Sequence, residues 1–127
     1  MLKKTITFID YNGNEQIEDY YFNLNEAELT ELELSEDGGL VKTIERIVAA
    51  EDGQEIIRIF KALILSAVGI KSNDGRRFIK SDSIREEFEQ TPAYSKLFME
   101  LATETDKATA FVTGILPQLP EPKPQRP

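Results

Sequence analysis

No cysteine and no histidine occur among the 127 residues. Without cysteine there is no disulfide framework to support the fold, and nothing in the composition argues for secretion. Without either residue, the usual zinc sites and the Ser-His-Asp and Cys-His catalytic arrangements are excluded. No glycine-rich phosphate loop or dinucleotide fingerprint occurs. Apolar runs are short: the longest, Ala62 to Val68, is interrupted by Ser66 and falls well below the roughly 18 residues of a membrane span. Met1-Leu2-Lys3-Lys4-Thr5 leads into alternation rather than an apolar stretch, unlike an ordinary signal peptide. Basic residues are outnumbered, 15 against 23 acids, for a net charge of -8, which disfavours binding to a phosphate backbone. The densest basic spot, Lys71, Arg76, Arg77 and Lys80, reads as a solvated turn. These absences predict an intracellular binding domain that is not an enzyme and takes no cofactor, metal, nucleic acid or membrane as partner.

What is present describes an ordinary globular chain, 40% apolar and 30% charged. A domain of this length buries roughly two-thirds of its unfolded surface, enough for a core. The expected fold is α+β and mostly α, with an N-terminal β-hairpin (about 2–23) packed on about five to six helices (about 26–116). A proline-rich tail, 117–127, follows this single domain: five of its eleven residues are proline, which suits an extended segment and neither helix nor central strand.

Leu2, Ile6 and Phe8 alternate with Lys3, Thr5 and Thr7 as a half-buried strand does. Asn12-Gly13 is a strong hairpin signal. A two-residue turn there would set Phe8 opposite Ile17, both inward, but Ile6 opposite Asp19. A bulge near Glu18-Asp19 is therefore expected, to bring Tyr20 and Phe22 inward.

Asn25 with Glu28 makes a capping box, flanked by Leu24 and Leu29 as a hydrophobic staple. The helix it opens runs from about 26 to 34 and ends in Ser35-Glu36-Asp37-Gly38-Gly39. A second helix, about 40–50, places Leu40, Ile44, Ile47 and Val48 together. A third, about 53–68, has Ile56, Ile59, Phe60, Leu63, Ile64 and Ala67 on one face. Ile57 and Val68 widen that face to about half the circumference, beyond the roughly 100° a surface helix needs. Either this helix is central to the core, or it offers surface to a partner. Leu65 lies opposite, among polar residues, and Gly69 reads as the stop. Asn73-Asp74-Gly75 marks a turn that can join a second small hairpin through Phe78 and Ile79. Ser81 or Ser83 opens a helix to about 90, Thr91-Pro92 opens another to about 103, and a last helix, about 106–116, turns Ala108, Phe111, Val112 and Ile115 inward.

Carboxylates are the remaining chemistry. Asp10 and Asp19 can approach across the hairpin, and Glu26, Glu28, Glu31 and Glu33 crowd the first helix. Paired carboxylates can act as acid and base, but acids at a helix start are favoured by its dipole alone. Ser72-Asn73-Asp74-Gly75 lacks the alternating acids and terminal glutamate of a calcium loop. No catalytic, cofactor-binding or metal residue is assigned.

Several stretches, taken in order, carry a resemblance: Leu2 to Phe8 with Asp10-Tyr11-Asn12-Gly13, Asp19 to Leu24, Gly38-Gly39-Leu40, Asp74 to Ser81, and Gln90 to Thr103. Over about 1–117 the chain resembles the tail assembly chaperones of long-tailed bacteriophages and prophages of Gram-positive bacteria. The resemblance implies a protein made in the cytoplasm of the infected or lysogenic host and absent from the mature virion. It implies binding of the tape measure protein, which it keeps soluble, and assembly of tail tube protein around that complex. Many such families also make a longer product by ribosomal frameshifting near the end of the short frame. For a long, one-sidedly apolar helical partner, an acidic body with apolar grooves is suitable. Leu65 and Met99 are the candidate protein-binding residues, since each is apolar and lies off the inward face of its helix. Two rival readings are a virion structural protein, such as a tail or capsid connector component, and an acidic DNA mimic. The second needs its acids in one stripe, whereas Glu15, Glu28, Glu51, Asp74 and Glu104 are scattered.

Overall fold

The computed structural model describes residues 1–34, 42, 45, 46, 49 and 53–117. In chain order the elements are β1 (Leu2–Ile9), β2 (Glu15–Phe22), α1 (Glu26–Leu34), α2 (Gly53–Ala67), β3 (Val68–Lys71), β4 (Phe78–Ile79), α3 (Asp82–Glu89), α4 (Pro92–Thr103) and α5 (Thr105–Ile115). Of the helix expected over about 40–50, Lys42, Glu45, Arg46 and Ala49 are helical and exposed. Its apolar positions lie outside the described residues, as do the Ser35 to Gly39 stop and the tail beyond Pro117.

The α+β expectation is met, but the hairpin is half of a larger sheet. All four strands join in the order β1-β2-β3-β4, with every neighbouring pair antiparallel. The expected register is also corrected. Phe8 faces Gln16, Thr7 faces Ile17, Ile6 faces Glu18, and the ladder runs unbroken to Leu2 opposite Phe22. The inferred bulge is therefore absent. The cause lies in the turn, which spans Asp10 to Asn14 instead of two residues. Asp10 N–H donates to the Asn14 carbonyl (2.9 Å), and Gly13 N–H donates to the Asp10 carbonyl (3.0 Å). The Asp10 carboxylate accepts from the N–H groups of Asn12 and Asn14, each at 2.9 Å. Gly13 carries the positive φ of +83° that this turn demands. One residue of register decides which face every side chain takes, so Tyr20 and Phe22 turn inward without a bulge and Ile17 turns out.

One face of the sheet is buried and the other open. Ile6, Phe8 and Phe22 point into the core, while Thr5, Thr7, Ile9, Ile17 and Asp19 are exposed on the far face. The core joins Phe22 and Leu24 to Phe60, Leu63 and Ile64 of α2 and Leu97 of α4, each at most 2% exposed. Phe22 meets Phe88 and Phe111 edge-on, at centroid distances of 5.7 and 5.3 Å. Such aromatic pairs contribute beyond their buried area, on the order of 1 kcal/mol each.

The helix signals act much as read. Asn25 and Glu28 exchange both capping-box bonds, at 2.9 and 2.8 Å. Ser81, not Ser83, caps α3, accepting from Ile84 N–H. Thr91 caps α4 with Pro92 in its first turn. Ala108, Phe111, Val112 and Ile115 of α5 are all buried. Gly69 is the exception: it is not a helix stop but a strand residue opposite Tyr21. The α2 carbonyls find other donors, Leu65 from Arg85 Nε (3.1 Å) and Ala67 from Asn23 N–H (2.8 Å), so no capping glycine is needed.

Candidate functional site

The feature that this topology creates is a split in the sheet. β1 pairs with β2 along its whole length, but β3 meets β2 only at Tyr21↔Gly69 and Phe22↔Val68. Beyond those pairs the strands part. A groove of about 580 Å³ opens between them, over a floor supplied largely by α3, and its volume is that of a ligand pocket.

Local sequence explains each wall. Val68 lies opposite Phe22 and shares its inward face, so Ile70, two residues on, points to the same side. Past the end of the β2–β3 pairing no described residue covers Ile70, which is 54% exposed although it lines the groove with Tyr20, Ile84 and Phe88. The Tyr20 and Phe88 rings lie 4.8 Å apart. The Tyr20 hydroxyl donates to Glu18 Oε2 at 2.9 Å. Burial, then the bond to Glu18 and that residue's charge, push the Tyr20 hydroxyl up to about 12. Glu18, Asp19 and Glu87 line the groove with a single base, Lys71. The groove thus has an apolar floor and an acidic rim. A shallower hollow of about 290 Å³ shares Glu18, Tyr20 and Thr91 with it and extends the channel towards the hairpin tip.

The carboxylates weighed for catalysis are engaged separately. Asp10 is held below the usual carboxylate range by the Gln16 side-chain amide, then by the N–H groups of the turn it braces. Asp19 is lowered chiefly by the Thr5 hydroxyl at 2.6 Å and then by Lys3. Both shifts favour the ionised form, whereas a general acid needs a raised value. Asp74 is likewise lowered, first by the Ser72 hydroxyl and then by Arg76 N–H. The Ser72 to Gly75 segment is the β3–β4 turn, with Gly75 at φ +74°. Among the described residues there is no metal-binding group of acids and no helix long and apolar enough to cross a membrane.

Of the two residues singled out for partner binding, Met99 stands in the open on α4, 54% exposed. Leu65 is half-buried on α2, its carbonyl held by Arg85. Neither lines the groove. Ile57, which widened the apolar arc of α2, is 54% exposed. Val68, its other extension, belongs to β3 and is buried. The groove itself was missed because helical periodicity carries through Val68 without a visible break. The clue was Gly69 within the alternation Val68, Ile70.

No curated protein and no solved structure matches the chain. A family model described as phage tail assembly chaperone matches residues 1–120. That span takes in all four strands, all five described helices and every residue of the groove, so the chain belongs to the phage tail assembly chaperone family.

Proposed function

We propose that the protein binds an apolar helical segment of the tape measure protein, keeps it soluble, and promotes assembly of tail tube protein around it. Membership of the tail assembly chaperone family over residues 1–120 carries this reading. Two physical features support it. Among the described residues, Ile57 and Met99 stand exposed on two helices, where each is available to an apolar partner surface. The net charge of -8 keeps a complex with an apolar partner in solution and draws basic stretches of that partner. The protein acts in the cytoplasm of an infected or lysogenic bacterium with a Gram-positive envelope, has no catalytic step, and leaves before the virion is finished.

Met99 and Leu65 are the proposed contacts. Met99 is the cleaner one to test, because Leu65 is half-buried and its replacement also perturbs the fold. Co-expression with the tape measure protein encoded downstream should render that protein soluble and recover both together. Met99→Lys should weaken recovery while leaving the circular dichroism spectrum and the melting temperature unchanged. A partner that stays insoluble beside the wild-type chain refutes the proposal. Mass spectrometry of purified virions should show the protein absent; its presence in stoichiometric amount would make it a structural component instead.

A further inference from the structure

We infer that the groove between β2 and β3 receives an extended segment of a partner polypeptide that alternates apolar and basic side chains, added to the sheet as a strand. This goes beyond the helical contact proposed above and uses a different surface.

The backbone supplies the first argument. In an antiparallel ladder, successive residues direct their N–H and C=O groups to opposite sides. Asp10 bonds to Asn14 across the hairpin turn, which continues the ladder, so even-numbered residues of β2 are those bonded to β1. Asn23 bonds to Ala67 and Tyr21 faces Gly69, so odd-numbered residues face β3. The N–H and C=O groups of Asp19 and Ile17 therefore point to the side where, among the described residues, no strand follows. From the other wall, Ser72 bonds to Arg77 and Ile70 faces Ile79, which sends the Lys71 backbone into the same gap. Two edges without strand pairing among the described residues face one groove, and such edges are a template for a strand. A helix, with its own backbone bonds made, could use neither.

Side chains supply the second argument. Residues of an added strand that point inward meet Tyr20, Ile70, Ile84 and Phe88, an apolar surface. The rim carries Glu18 and Glu87 against Lys71, while the Asp19 carboxylate is turned to the far face and held by Thr5 and Lys3; the two rim acids select basic neighbours for those apolar residues. The same acids disfavour a second copy of this chain, given its charge of -8.

The test uses the full chain and a capped seven-residue peptide alternating valine and lysine. Two control peptides accompany it: one N-methylated at alternate residues, which keeps charge and side chains but loses donors, and one with glutamate for lysine. Backbone amide NMR should show shifts and slowed exchange at Ile17, Asp19 and Lys71 on titration. The N-methylated and glutamate peptides should each bind at least about tenfold more weakly, as loss of a central interface contact does. Ile70→Arg, at an exposed position, should weaken binding by a similar factor while leaving the fold intact. Equal binding of the N-methylated peptide would reduce the groove to charge attraction and overturn strand addition. So would shifts confined to Met99 and Ile57, no binding at millimolar peptide, or concentration-dependent shifts at the same amides without peptide, which would identify a second copy as occupant. These outcomes are independent of whether the tape measure protein is made soluble, so the two proposals stand or fall separately.

Discussion

Gly69 of β3 lies opposite Tyr21 and close against β4. A Cβ there would lie 2.5 Å from Phe78 Cε2 and 2.8 Å from the Ile79 carbonyl oxygen. A ring can swing aside, but the carbonyl belongs to the β4 backbone, so accommodating a methyl group means prising β3 from β4. Overpacking of this kind costs about 1–3 kcal/mol. Alanine restricts the unfolded chain more than glycine does, which returns on the order of 0.5 kcal/mol and leaves the clash dominant. With a urea dependence of about 1–3 kcal/mol per molar, the unfolding midpoint of Gly69→Ala should fall by roughly 1 M. Gly114→Ala serves as the internal comparison. Its Cβ would come to 3.0 Å from Leu2 Cδ1, the mobile end of a side chain, while the helix gains up to about 1 kcal/mol from replacing glycine. That midpoint should stay put or rise. If Gly69→Ala leaves the midpoint unchanged, or if both variants lose stability equally, the steric reasoning fails.

Asn25→Ala should cost about 1 kcal/mol as the loss of a cap. Glu28→Ala should cost more, because Glu28 accepts from Asn25 N–H through one oxygen and from Lys80 Nζ, at 2.6 Å, through the other. Equal losses in equilibrium unfolding would remove Lys80 from the account. With its hydroxyl raised to about 12, Tyr20 holds its proton more tightly folded than unfolded. That contribution is complete below the ordinary value of about 10 and disappears as pH rises through about 12. Burial and then Glu89 raise the Tyr94 hydroxyl as well, so ultraviolet titration should show late tyrosine ionisation that Tyr20→Phe diminishes, and ionisation of all four tyrosines near their ordinary value would contradict it. Truncation after Leu116 should alter stability by no more than about 0.5 kcal/mol; a clear drop in melting temperature would show that the tail is docked.

Local chemistry made much of the fold legible. Caps at Asn25 and Thr91, the alternation of β1 and the inward stripe of α5 are each written in a few neighbouring residues, and each is where the sequence places it. Long-range choices were less accessible. The turn at Asp10 draws on a carboxylate four residues from its partner Asn14, and only that extra length sets the β2 register. The union of two hairpins into one sheet rests on Phe22 meeting Val68 and Tyr21 meeting Gly69, a pairing no local pattern announces. The groove follows from that pairing stopping short, so it too was hidden. Met99 was recognisable as exposed because helical spacing fixes its face, whereas Leu65, judged by the same rule, is partly covered.

The exit from β2 has a consequence for synthesis. Asn23 N–H donates to the end of α2, Leu24 N–H donates to the Ile115 carbonyl at the end of α5, and Lys4 reaches Glu100, 96 positions away. Strands β1 and β2 therefore obtain closing partners from helices made some ninety residues later. At about 5–20 residues per second of translation, the hairpin waits several seconds with its apolar face open. The contacts that close the hairpin's buried face therefore form only once the segment through Ile115 has emerged.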